Sequence, residues 1–215
     1  MLSEHAEVLP DPLSTTVGRP LAFNQAIAAL GRYSLVTVTE GSLTVHRLVQ
    51  TVVRDGLTIP RQQTWVDAAL RLVSSAFPSP SEEVASWPAH ARLLPHVLVV
   101  VDHAQALDVE AETAARLLNE AAADLRWRAQ YQQARQLQEP ALASFRRVLG
   151  DDHPGTLTAM NTLGEIRRHL GNLQGARDLL KQTLAARQRV LGPDHPDTVA
   201  STNNLAAVRR ELGEP

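Results

Sequence analysis

The chain has 215 residues, a formal charge of −2 and no cysteine. That length supports one elongated or two compact units with their own cores. The near-neutral balance offers no general attraction to nucleic acid or anionic lipid. Without thiols there can be no disulfide, cysteine nucleophile or thiolate-bound metal.

In chain order, residues 1–20 are rich in proline and polar side chains and read as a loop, or the tail of a missing module. They contain no basic and apolar run of the export type. The longest stretch of strong aliphatics in the whole chain is 97–101, so a cytoplasmic protein with no membrane segment is expected. Over 21–60 the spacing predicts a helix at 22–31, with Phe23, Ile27 and Leu30 on one side. A hairpin follows, made by the alternating residues 33–39, a turn at Glu40-Gly41 and a second strand at 43–45. The next helix carries Leu48, Val49, Val52 and Val53 and stops at Gly56. Helix, hairpin and helix in so few residues suggest part of a winged helix.

Residues 61–110 read as a helical linker pair. The first helix, 62–77, has Trp65, Ala69, Leu72 and Val73 on one face and breaks at Pro78-Ser79-Pro80-Ser81; the second runs over about 86–106. Val97 to Asp102 has the form of a Walker B strand, aliphatics followed by an acid. The sole lysine, Lys181, has no glycine-rich turn before it, so no phosphate cradle accompanies that run, and a buried helix is expected instead. There is no Gly-x-Ser-x-Gly elbow, and Glu82-Glu83 reads as solvated loop charge. Asp152-His153 and Asp194-His195 stand a full repeat apart, too far to share one ion, and read as turn chemistry. The expectation is a chain with no catalytic residue, no metal and no cofactor.

From 111 to 215 the chain copies itself. Leu149-Gly150-Asp151-Asp152-His153-Pro154 returns as Leu191-Gly192-Pro193-Asp194-His195-Pro196. Thr156, Asn161, Leu163, Leu170 and Gly171 return as Thr198, Asn203, Leu205, Leu212 and Gly213, always 42 residues on. In each copy a helix starts after the His-Pro pair, carries Leu157, Met160, Leu163, Ile166 and Leu170 or their equivalents, and stops at a glycine. A second helix has Leu173, Ala176, Leu179, Leu180 and Leu184. Such units cannot bury their apolar faces alone and must stack. Gly164, Ala176 and Ala206 are placed where helices can approach closely. The last copy ends after one helix, which predicts that Leu205, Val208 and Leu212 lack a cover and that the chain dimerises or frays there.

The motif Leu191-Gly192-Pro193-Asp194-His195-Pro196-Asp197-Thr198, followed by Asn203-Asn204-Leu205-Ala206, resembles the long tetratricopeptide repeat of the kinesin light chain type. The resemblance implies a mostly α fold: a small winged-helix-like segment, then a right-handed α-solenoid of tetratricopeptide-type helix pairs. Residues 29–36 followed by Val45-His46-Arg47-Leu48-Val49-Gln50 resemble the winged-helix piece of STAND-type signalling ATPases, including the NB-ARC class. In that family the histidine at the place of His46 touches the phosphates of a bound nucleotide. The family's Met-His-Asp is here Val45-His46-Arg47, without the acid. The whole is similar to the actinobacterial FxSxx-COOH-system type, named for a short peptide with a free carboxylate, and implies a separate nucleotide-binding domain as a partner.

Plotted as a wheel, the first helix of each copy places Thr158, Asn161, Glu165 and Arg168 opposite its apolar stripe. Shifted by the period, two ladders emerge: Asn119, Asn161 and Asn203, and Arg126, Arg168 and Arg210. First helices line the concave wall of a tetratricopeptide solenoid, as the resemblance implies. Asparagine amides can satisfy a ligand's main chain, and guanidinium forks its carboxylates. These six residues are therefore the expected site for an extended peptide or protein partner, within a non-enzymatic interaction module. The competing interpretation is that the amides tie repeat to repeat. An alternative function is a DNA-binding regulator in which Arg47, Gln50 and Arg54 share a face of the winged-helix segment.

Overall fold

The computed structural model describes residues 5–39, 42–78 and 84–214. The turn expected at Glu40-Gly41, the break at Ser79-Pro80-Ser81 and the pair Glu82-Glu83 lie outside the described residues. The chain separates into two units, Met1–Ala76 with Asp102–Val109, and Phe77–Val101 with Glu110–Pro215.

In the first unit, a 3-10 turn (Ala6–Val8) leads to α1 (Leu13–Val17), α2 (Pro20–Arg32), β1 (Val36–Thr39), β2 (Ser42–Val45), α3 (Arg47–Asp55) and α4 (Ile59–Ala76). Pro20 opens α2 at the position where its missing N–H is no loss. β1 and β2 pair antiparallel, with Val36 opposite Val45 and Thr39 opposite Ser42. The loop expected over 1–20 is partly helical: Leu9 and Val17 are buried with Leu72, and Phe23 packs beside them. A helix as short as α1 leaves no periodic trace in the sequence. The helix–hairpin–helix order is as expected, yet Leu48, Val52 and Val53 of α3 stand exposed.

The second unit takes most of α5 (Trp87–Ala106), then α6 (Ala111–Trp127), α7 (Tyr131–Leu149), α8 (Pro154–His169), α9 (Leu173–Leu191) and α10 (Pro196–Leu212). Val97, Val100 and Val101 are buried in α5, so the aliphatic run that resembles a Walker B strand is helix. Consecutive helices pack as α6 on α7, α7 on α8, α8 on α9 and α9 on α10. This is an α-solenoid of stacked helix pairs.

The 42-residue copies keep their local geometry. His153 and His195 stand just before α8 and α10, and each ring Nδ1 accepts a backbone N–H, from Gly155 at 3.1 Å and Asp197 at 3.2 Å. Gly171 and Gly213 end the same helices at φ +78 and +71, the left-handed conformation that glycine adopts at little cost. One apolar cluster joins Leu142 and Phe145 of α7 to Leu157, Met160 and Leu163 of α8 and Leu179 of α9. A second joins Ala176 and Leu180 of α9 to Val208 of α10, with Leu173, Leu205 and Leu212 around them.

That second cluster corrects the expectation for the last helix. Val208 is fully buried and Leu205 and Leu212 are half-buried, because α9 of the preceding pair already covers them. Each fully buried aliphatic of this kind contributes about 1.5–3 kcal/mol, enough to hold α10 in place, and the argument for a dimer from bare leucines loses its ground.

Candidate protein-interaction surface

Across the repeats α6 meets α8 and α8 meets α10, so the first helices crowd together on one side of the stack. The three ladder arginines fall in the last turns of these helices, where a positive charge faces the partly negative carbonyl end. Nη1 of Arg126 donates to Oε2 of Glu165 at 2.7 Å, and its guanidinium lies 4.2 Å above the Trp127 ring. Nη1 of Arg168 donates to Oε1 of Glu211 at 2.6 Å. Arg210 is exposed, and its Nε donates to the Ala206 carbonyl at 3.4 Å.

The asparagines occupy three different environments. Asn119 is half-buried and its Oδ1 accepts from Nε2 of Gln138 at 2.8 Å, within one helix pair. Asn161 is 9 % exposed. Its Nδ2 donates to Glu165 at 2.7 Å, and its Oδ1 accepts from the Ser201 hydroxyl at 3.2 Å and from Asn204 at 3.3 Å. Asn203 is exposed. Asn161 therefore does not stand on an open wall: α10 lies over it, and its amide ties the second repeat to the third. A helical wheel reports direction relative to the helix's own core, but not which neighbour covers the far side.

Beside the arginines, the Tyr131 and His169 rings stack at 4.4 Å and 4°. The His169 Nε2 lies 2.9 Å from Nη2 of Arg168 and accepts from it, since a guanidinium has no lone pair to offer. Burial, then Arg168 and Arg126, hold His169 below the ordinary histidine range, with Glu211 pulling weakly the other way.

Sequence reading passed over two buried polar residues at this seam. Arg187 on α9 is 3 % exposed. Its Nη1 donates to the Asp197 carbonyl at 2.8 Å and the Ser201 hydroxyl at 2.9 Å, and its Nη2 to the Thr158 hydroxyl at 3.2 Å. Gln138 is fully buried and also donates to the Ala159 carbonyl at 3.0 Å. The available signal was the place where the copies disagree: 42 residues away, Arg187 corresponds to Phe145 and Gln138 to Leu180.

In the first unit His46 caps α3, its Nδ1 accepting from the Leu48 N–H at 3.2 Å, as His153 and His195 do in theirs. Gln50 donates its amide to the Val45 carbonyl at 2.8 Å. A cleft of about 350 Å³ lies between Val49, Val53, Leu57, Trp65 and Leu107. Among the described residues, no group of three or more His, Asp or Glu gathers to hold a metal, and no helix is long and apolar enough to cross a membrane.

Antiparallel helix pairs stacked one on the next define a helical-repeat scaffold. The family model described as tetratricopeptide repeat matches residues 113–189 and again 161–215. This part of the chain is a tetratricopeptide-type repeat region, a protein-interaction module. No curated protein matches the chain.

Proposed function

We propose that the first-helix face of α6, α8 and α10 receives an extended peptide bearing carboxylate groups. The observation that carries this reading is the arginine row. Three guanidinium groups share one register; Arg126 and Arg168 are held in place by Glu165 and Glu211, while Arg210 remains exposed beside exposed Asn203. The bound pairs fix the geometry of the row, and the exposed end can form new charge-assisted bonds. By its resemblance to STAND-type proteins, the chain acts in signalling or defence. There the helix–hairpin–helix segment would dock on a nucleotide-binding domain, and His46 would meet nucleotide only if that domain is supplied. The peptide would then be one with a free C-terminal carboxylate. DNA binding by α3 is the weaker reading, because Gln50 spends its amide on Val45 and apolar Leu48 and Val52 stand exposed beside Arg47 and Arg54.

The test is fluorescence anisotropy with labelled glutamate-rich and lysine-rich peptides of equal length. The acidic peptide should bind, and Arg210→Ala should weaken it about tenfold, the loss of one charge-assisted contact worth roughly 1.4 kcal/mol. Equal affinity for both peptides, or an unaffected Arg210→Ala variant, would remove the proposal.

A further inference from the structure

Arg187 is a charge buried where the fold asks for none. In the preceding copy its position belongs to Phe145, an apolar ring 4 % exposed that packs on Leu142 and Leu157. The helix-pair scaffold is therefore satisfied by a hydrocarbon here. A guanidinium in its place must be stripped of water, and that loss is recovered only when hydrogen bonds and an opposite charge surround it. The hydrogen bonds are present, but all three are to neutral oxygens: the Asp197 carbonyl and the Ser201 and Thr158 hydroxyls. Its Nε is buried without a partner, and among the described residues no carboxylate is in ion-pair contact with it. Burial pushes Arg187 below the ordinary arginine range, with Asp197 and Glu165 opposing only from a distance.

Two arginines of the row, Arg126 and Arg168, each already hold a carboxylate, and the third, Arg210, is exposed to water rather than buried. Thr158 and Asp197, whose oxygens accept from Nη2 and Nη1 of Arg187, are both exposed, so two of the residues that hold the guanidinium reach solvent.

We propose that Arg187 is the anchor for one carboxylate of the bound partner, an acidic side chain or a free C-terminus, which enters between Thr158 and Asp197 and displaces the Thr158 hydroxyl from Nη2. This rests on the peptide-binding reading above and names a residue outside the row. A carboxylate fits better than a phosphate, since the Asp197 side chain already brings negative potential toward Arg187 and a second ligand charge would be repelled. Arg187 would thus supply the countercharge pocket, and the arginine row the flanking contacts.

The probe is N-acetylglycine, with N-acetylglycinamide as its uncharged match and inorganic phosphate as the dianion, each titrated through the millimolar range at constant ionic strength. The readout on the full chain is the Nε–Hε resonance of Arg187, assigned by its disappearance in Arg187→Phe. A saturable shift with N-acetylglycine, absent with the amide and weaker with phosphate, is expected, and Arg187→Phe should keep or raise the unfolding midpoint while losing the response to added acid. No saturable shift, a response equal for acid and amide, or a stronger one for phosphate would overturn the assignment. So would a large fall in midpoint for Arg187→Phe, which would make the guanidinium a structural tie. Anisotropy with the acidic peptide reports separately on the row: capture that persists while Arg187 stays silent removes the anchor and leaves the docking face.

Discussion

Gly164 tests how closely the helix pairs approach. A Cβ built on Gly164 would lie 2.6 Å from Cγ and 2.7 Å from Cδ2 of Leu180. Leu180 is fully buried between Ala176 and Val208, so it has no free space to rotate into. In an unhindered helix interior, glycine to alanine gains about 1 kcal/mol through the restricted backbone of the unfolded chain. Overpacking a filled core costs roughly 1–3 kcal/mol, and contact this close against a fixed side chain belongs near the top of that range. Gly164→Ala should therefore lower stability by about 1–2 kcal/mol, the difference between these opposed terms. Urea unfolding of the full chain, followed by circular dichroism, measures it. In a Leu180→Ala background the same substitution should become neutral or stabilising, because the obstructing carbons are gone. The reasoning fails if Gly164→Ala alone raises the unfolding midpoint, or if Leu180→Ala leaves its effect unchanged.

Two further perturbations probe the repeat and the arginine row. Ala129 lies 42 residues before Gly171 and has φ +57, a left-handed conformation costing an alanine roughly 1–2 kcal/mol. Ala129→Gly should thus stabilise by about 0.5–1 kcal/mol after glycine's own entropy cost, and a midpoint unchanged or lowered would contradict the copy register. His169, held below the ordinary histidine range by burial and by Arg168 and Arg126, binds fewer protons folded than unfolded. Its contribution is present above the ordinary histidine pKa and lost as pH falls through it toward the folded value. A proton NMR titration should find His169 depressed, and Arg168→Ala should move it upward; titration at or above the ordinary value in the native chain would rule out the repulsion described here.

What could be read from the sequence was what the copies share. The period fixed the helix starts at Pro154 and Pro196, the glycine stops at Gly171 and Gly213, and the close approach at Gly164, because each depends on contacts within one pair or between adjacent pairs. The fate of the asparagines was hidden. Asn119, Asn161 and Asn203 have the same place on their own helices, but a helix surface is exposed or covered according to the next repeat. Among the described residues, α8 has a first helix on each side, α6 and α10. The short helix α1 was equally hidden, since Leu9 and Val17 reach Leu72 across more than fifty residues with no pattern to announce it.

The disagreements between copies were legible too, and they carry more of the specific chemistry. Asp124 stands where the later copies have Ile166 and Val208, and its Oδ1 faces Nδ1 of His90 on α5 at 3.0 Å, the separation of an ion pair. Gln138 replaces Leu180's counterpart and holds Asn119; Arg187 replaces Phe145's and holds Ser201 and Thr158. In each case a polar group has entered a position the scaffold fills with hydrocarbon, at a cost in desolvation that the repeat itself does not require.

The arginine row shows the complementary behaviour. Its members recur at an exact period, but their acids do not: Arg126 finds Glu165, 39 residues on, and Arg168 finds Glu211, 43 residues on. A long guanidinium side chain can meet an acid one turn to either side, so a fixed ion pair cannot be the reason the arginines share a register. The reason common to all three is position at the carbonyl end of a first helix, which favours a cation whichever acid is near. With Glu211 drawn back to Arg168, the last member of the row keeps the same helix end and no carboxylate contact among the described residues. On the proposed reading, Arg210 is thus the member of the row whose charge the acidic peptide would meet.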